Sequence, residues 1–150
     1  MDPFETTASK NFLPLKGETT LTVSVDKKLF MMGDTIKVHI ICNNYSSKKV
    51  RSIKFYLRMK ELKQTISGGH PKTEKSCQKI HKTYFTADGV FPLQGGLKWR
   101  GDSLFKIPEF GLNPSFRDNL FERKYHLCVC CVFKHAKNLR AYIPITLKEK

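Results

Sequence analysis

Residues 123–134 read Arg123-Lys124-Tyr125-His126-Leu127-Cys128-Val129-Cys130-Cys131-Val132-Phe133-Lys134. Tyr125, Leu127, Val129, Cys131 and Phe133 recur at a spacing of two, which is the signature of a strand with one face in a core. Lys134-His135-Ala136-Lys137-Asn138 then reads as a hairpin turn, and Leu139, Ala141, Ile143, Ile145 and Leu147 alternate along a second strand. Pro144 has no amide hydrogen to give a central ladder, so this second strand is expected at an edge or with a bulge.

The same period runs through the rest of the chain. Leu21, Val23 and Val25 form one strand, Ile36, Val38, Ile40 and Cys42 another, with Met32-Gly33-Asp34 turning between them. Asn43-Asn44-Tyr45-Ser46-Ser47 reads as a turn, because Asn tolerates left-handed backbone and Ser bonds locally. Ile53, Phe55, Leu57 and Met59 then face one way, with Lys54, Tyr56, Arg58 and Lys60 on the other side. Ser67-Gly68-Gly69-His70-Pro71 breaks the pattern, and residues 77–85 alternate weakly, as an edge strand guarded by lysines would. Residues 95–101 read as a strand, 104–108 as an irregular extended piece, and 110–117 as a loop or crossing segment. Residues 1–16 lack periodicity and are read as a linker. About seven strands with polar turns and no helical pattern predict an all-β fold, an immunoglobulin-like antiparallel sandwich of two sheets.

The chain has 150 residues, 40% of them hydrophobic, enough for one domain with a true core. No secretory leader and no apolar run of the roughly 18 residues that a membrane helix needs is present, which points to a soluble, intracellular setting. The five cysteines are odd in number and three cluster in one apolar strand, unlike a secreted disulfide framework. Cys128, Cys130, Cys131, His126 and His135 alternate along that strand and its turn without the tight pairing of a zinc site, so no metal is expected. The Asn44-Tyr45-Ser46 sequon has no meaning without a secretory route. No nucleophile elbow, no phosphate-binding glycine loop and few carboxylates are found, which argues against an enzyme and predicts no cofactor.

Charge is the other strong signal. There are 27 Lys and Arg against 13 Asp and Glu, net +14. Residues 1–47 are neutral, residues 48–82 carry eleven basic residues against Glu61 and Glu74, net +9, and the remainder carries +5. Lys54, Arg58 and Lys60 share one strand face at intervals of four and two residues, with successive heads roughly 7–14 Å apart. Such a face suits several phosphates at once. It suits equally a solvated lysine face that protects a sheet edge; a single-stranded nucleic acid is the third option, for which Tyr56 alone among the aromatics stands on that side, and no nucleic acid is expected as a partner.

Two stretches resemble the arrestin family. Residues 24–38, containing Asp26-Lys27-Lys28-Leu29-Phe30 and Gly33, run into 43–50 and Ile53-Lys54 in the manner of the opening of an arrestin C-terminal domain. Trp99-Arg100-Gly101, Ile107-Pro108, Pro114-Ser115, Tyr125-His126-Leu127-Cys128-Val129 and Ile143-Pro144-Ile145 are similar to the landmarks of the α-arrestin branch, in the same order. The resemblance places an arrestin C-terminal-like domain over residues 17–148 and implies half of a two-domain, non-enzymatic adaptor. Such adaptors bring membrane cargo or receptors to endocytic machinery or ubiquitin ligases, from the cytoplasm and at the periphery of plasma membrane or endosomes. In β-arrestins a phosphoinositide site uses an I-K-x-x-x-R segment, matched by Ile53-Lys54-Phe55-Tyr56-Leu57-Arg58, so Lys54 and Arg58 are implied as anion ligands. Lys60 shares their face, and Lys72 or Lys75 matches a hairpin lysine. No proline-tyrosine motif or clathrin box is found, and Gly96 stands where some members carry a thioredoxin-linked cysteine. With no N-terminal arrestin domain in it, the chain is expected to be a fragment or a minimal arrestin-like protein.

Overall fold

The computed structural model describes residues 4–12, 17–85 and 91–149, and within them places ten strands and no helix. In chain order these are β1 (Glu5–Asn11), β2 (Gly17–Val25), β3 (Leu29–Met31), β4 (Thr35–Ser46), β5 (Val50–Ser67), β6 (His70–Phe85), β7 (Leu97–Lys106), β8 (Phe116–Arg117), β9 (Phe121–Phe133) and β10 (Leu139–Lys148). One sheet has the order β1-β2-β4-β7; the other runs β3-β10-β9-β5-β6, with β8 pairing β9. All pairings are antiparallel except the short β3–β10 contact, which is parallel. The all-β two-sheet sandwich read from the sequence is therefore the fold.

Registers explain why alternation was so legible. Leu57, Leu127 and Ile143 stand side by side across β5, β9 and β10, all fully buried, and face Leu21, Val23, Val38 and Ile40 of the opposite sheet. Cys42 and Cys131 meet across the core, Sγ to Sγ 3.9 Å, as free thiols. Pro144 sits on β10 beyond the reach of β3. The Thr146 amide donates to the Lys28 carbonyl, and two residues back the Pro144 nitrogen faces the same side, where no strand asks for a donor.

Several readings are corrected. Residues 5–11, taken as linker, form β1, which pairs along its whole length with β2; the linker reading at 1–3 and 13–16 lies outside the described residues. Polar sequence hid this strand because an edge strand in a twisted sheet buries little. Phe12, just after it, drops into the core with its ring 5.1 Å from Phe133. Residues 43–46 of the stretch 43–47 read as a turn continue β4, paired with β2 throughout and with β7 as far as Asn44. Residues 97–106 are one strand, not two pieces.

The end of β4 is fixed by a buried polar knot. Asn44, fully buried, accepts at Oδ1 from Thr19 (2.8 Å) and Ser46 (2.6 Å) and donates from Nδ2 to the carbonyls of Lys48 (2.7 Å) and Leu93 (3.1 Å). The knot ties the crossing from one sheet to the other to the chain near residue 93. Gly95 is required beside it, since a Cβ there would stand 2.1 Å from the Ser46 carbonyl oxygen.

Candidate functional site: the outer face of β5, β6 and β9

Directly opposed residues of antiparallel strands share a face. On the side of β5 away from the core, Lys54 stands beside Cys130 and Arg140, Tyr56 beside Cys128 and Tyr142, Arg58 beside His126 on β9 and Lys79 on β6, and Lys60 beside Lys124 and Cys77. Lys75, opposite Leu62, continues the same face. Lys54, Arg58, Lys60 and Lys75 are thus brought together over roughly 30 Å of strand. Lys72 is not: it lies opposite Thr65 on the other face, 3.8 Å from the Glu74 carboxylate.

The face is not a plain solvated row of lysines. Tyr56 is fully buried, as are Cys128 and Cys130 beside it. Lys54 and Lys79 lie over the Tyr56 ring at 5.9 and 5.1 Å, and the Arg58 guanidinium lies on the Tyr142 ring at 3.7 Å. Cation–π contact and the aliphatic stems let charged residues roof an apolar strip while keeping their heads toward water. The alternation rule placed Tyr56 and the two cysteines on an outer face; their burial comes from these long neighbours.

Electrostatics follow from that roof. Burial, then Arg58, Lys60 and Lys124, hold His126 down at about 4, so it is neutral at neutral pH. Its Nδ1 and the Arg58 Nε are buried without a hydrogen-bond partner among the described residues. Burial raises the Tyr56 phenol and brings the Cys128 thiol to about 11, leaving both protonated. None of Lys54, Arg58, Lys60, Lys75 and Lys79 meets a carboxylate among the described ion pairs, whereas Lys124 pairs with Glu122 at 3.1 Å and Arg123 with Glu61 at 2.8 Å. A groove of about 500 Å³ runs between Lys60, Leu62, Lys75, Cys77, Glu122 and Lys124.

On the opposite sheet His39 is clamped between Asp102 (2.7 Å) and Asp26 (3.0 Å); the Asp102 hydrogen bond, then that from Asp26, raises its pKa. Two carboxylate acceptors on one imidazole make this a strand-to-strand tie. No group of three or more potential metal ligands occurs among the described residues.

Sequence reasoning missed Lys79 and Lys124 and the aromatic floor of Tyr142. A signal existed for Lys79. Gly68 and Gly69 both have positive φ, the geometry of a two-residue hairpin turn, and counting back equally from it sets Arg58 opposite Lys79 and Lys72 off the face.

The outer face of β5 and β6 thus carries five cations, Lys54, Arg58, Lys60, Lys75 and Lys79, with no carboxylate partner among the described ion pairs. The family model for arrestin (or S-antigen), C-terminal domain, matches residues 15–149, and the chain belongs to that family. It is 27% identical over 127 residues to arrestin domain-containing protein E of Dictyostelium discoideum, covering 82% of this chain and 22% of that protein. It is 34% identical over 62 residues to the lateral eye arrestin of Limulus polyphemus, covering 41% of this chain and 15% of that protein. The chain therefore spans less than a quarter of either relative's length. In shape it is similar to the Bacillus subtilis sporulation control protein Spo0M, with a TM-score of 0.61 at 12% identity over 94% of this chain and 49% of that one. At that identity the likeness concerns the fold alone.

Proposed function

We propose that this domain is an adaptor or scaffold module of the arrestin type, serving membrane-protein trafficking and signalling, and that its β5–β6–β9 face binds the headgroup of a phosphoinositide or a soluble inositol phosphate. The observation that carries the anion site is the set Lys54, Arg58, Lys60, Lys75 and Lys79 on one face with no carboxylate partner among the described residues. Several cations gathered without counterions raise the local potential and favour a polyanion. Arg58 and Lys54 are partly immobilised on aromatic rings, so less side-chain freedom is lost on binding.

Its partners in this reading are membrane cargo or receptors, with endocytic machinery or ubiquitin ligases recruited through regions outside this chain, at the cytoplasmic side of plasma membrane or endosomes. The single-stranded nucleic-acid reading loses its support: Tyr56 is fully buried and the Tyr142 ring is covered by Arg58, so neither offers a free face for a base.

Calorimetric titration with inositol hexakisphosphate at near-physiological salt tests the site. Lys54→Glu with Lys60→Glu should weaken binding at least about tenfold, since each removes and reverses a charge near the ligand. Lys134→Glu with Lys137→Glu, in the β9–β10 turn, should change it little. Equal losses in the two pairs would reduce the interaction to net charge alone and reject the site.

A further inference from the structure

Of the two long strands at sheet edges, β6 is interrupted by Pro71 and by a register shift opposite Phe55 and Leu57, whereas β7 pairs with β4 over ten consecutive positions without proline or bulge. On its other side no described strand pairs with it. The Ile107 amide donates to the Asp34 carbonyl at 2.8 Å, one step beyond the Thr35–Lys106 pair. Bonds to a given neighbour recur at every second residue of an antiparallel strand. Counted from Ile107, the amides and carbonyls of Phe105, Ser103, Gly101 and Trp99 turn to β4, and those of Lys106, Leu104, Asp102, Arg100 and Lys98 point outward. The Val25 amide, which donates to the Phe4 carbonyl at 3.1 Å, sets the same phase across β2 and β4.

A free row of alternating donors and acceptors is matched by the backbone of another extended polypeptide. Its side chains say which one. The five residues with outward backbone groups are all exposed on the outer face of the sheet, Leu104 to 70%. Lys98, Arg100 and Lys106 make no ion pair among the described residues, whereas Asp102 is taken up by His39 at 2.7 Å and Lys37 at 3.8 Å. Directly opposed residues of antiparallel strands interact, so an added strand would meet three cations and one exposed leucine at alternate positions. Lysines on an edge discourage neutral and basic strands, and the same charges select an acidic one. A second copy of the chain fits poorly. Each molecule carries +14, and two β7 strands centred on Asp102 would set Lys98 against Lys106.

We propose that the free edge of β7 takes up an extended acidic segment of a partner protein as an added antiparallel strand, with carboxylates opposite Lys98, Arg100 and Lys106 and an aliphatic residue opposite Leu104. This edge belongs to the other sheet from the β5–β6–β9 face, and the inference does not depend on the anion site there.

A synthetic peptide matched to residues 98–106 tests it, with glutamate opposite Lys98, Arg100 and Lys106, valine opposite Leu104 and threonine elsewhere. A scrambled peptide of the same composition is the control for net charge. The matched peptide should bind with a dissociation constant below about 1 mM, at least about fivefold tighter than the scrambled one. Hydrogen exchange followed by NMR reads the place: the amides of Arg100, Asp102 and Leu104 should exchange fast in the free chain and at least about tenfold more slowly with the peptide bound. Lys98→Glu with Arg100→Glu should weaken binding at least about tenfold, and Lys54→Glu with Lys60→Glu should change it little. Equal binding of the two peptides, edge amides that stay unprotected, or a loss confined to the Lys54 and Lys60 variant would each overturn the proposal. Protection of the same amides on concentrating the chain alone would assign the edge to self-association instead and equally reject it.

Discussion

His126 shows how much one side chain's setting decides. Its ring meets Tyr142 edge-on at 6.5 Å, in a site where burial and then Arg58, Lys60 and Lys124 keep it neutral down to about pH 4. In the unfolded chain it titrates near its ordinary value of 6.5. Between these values the unfolded state binds the extra proton, so the His126 contribution is complete above about 6.5 and is lost as pH falls toward 4. Chemical denaturation at pH 7.5 and pH 5 should show the wild type losing stability on acidification, with His126→Gln losing distinctly less. His39 has the opposite sign: its two carboxylate partners raise its pKa, so its contribution is full below 6.5 and fades as pH rises through the folded value. The cysteines are likewise settled by setting. Cys42, Cys128, Cys130 and Cys131 are buried as small apolar groups and only Cys77 is exposed, so residue type alone could not have ranked them.

At the scale of elements, the two ends of β5 are made in different ways. Its far end is a ribbon whose register is set by local turn chemistry, Gly68 at φ 59° and Gly69 at φ 82°. Its near end is set by the Asn44 knot, which no local rule predicts. Asn43 and Asn44 look equivalent in sequence, yet opposite faces of β4 separate them: Asn44 makes four hydrogen bonds, whereas the buried Asn43 Oδ1 has none among the described residues. Asn44→Ala should cost about 2–4 kcal/mol, because it strands buried hydroxyls and carbonyls. Asn43→Ala should cost under about 1 kcal/mol, because no bond is broken. Urea midpoints of the two variants measure the contrast, and equal costs would mean that the knot is not what holds the crossing.

At the scale of the whole molecule, β1 closes the sandwich. It extends one sheet by seven paired residues, sends the Thr6 hydroxyl to the Tyr142 carbonyl on the free edge of β10 (3.1 Å), and delivers Phe12 to the core. Removing residues 1–12 should therefore destabilise the domain by about 3 kcal/mol or more, most of it the exposure of apolar core, and should promote self-association through the bared edges. Thermal melts and light scattering would record both, and an unchanged melt would return these residues to the status of a linker. The same strand marks the limit of what sequence could tell. Alternation along 21–25, 36–42, 53–59, 125–133 and 139–147 determined the all-β class and the core faces, because a buried face imposes its period of two on the residues that line it. The run of charge within 48–82 and the motifs at Lys54 and Arg58 drew attention to β5 for the same reason of local pattern. Which strands lie together was decided only in three dimensions. A polar edge strand leaves no period to read, so β1 was invisible; a partner on another strand leaves no mark at all, so Lys124 and Tyr142 joined Arg58 only through the β5–β9–β10 register. That register turned a lysine-rich strand into a roofed cationic face, because side chains far apart in the chain share an electrostatic field only once pairing sets them side by side.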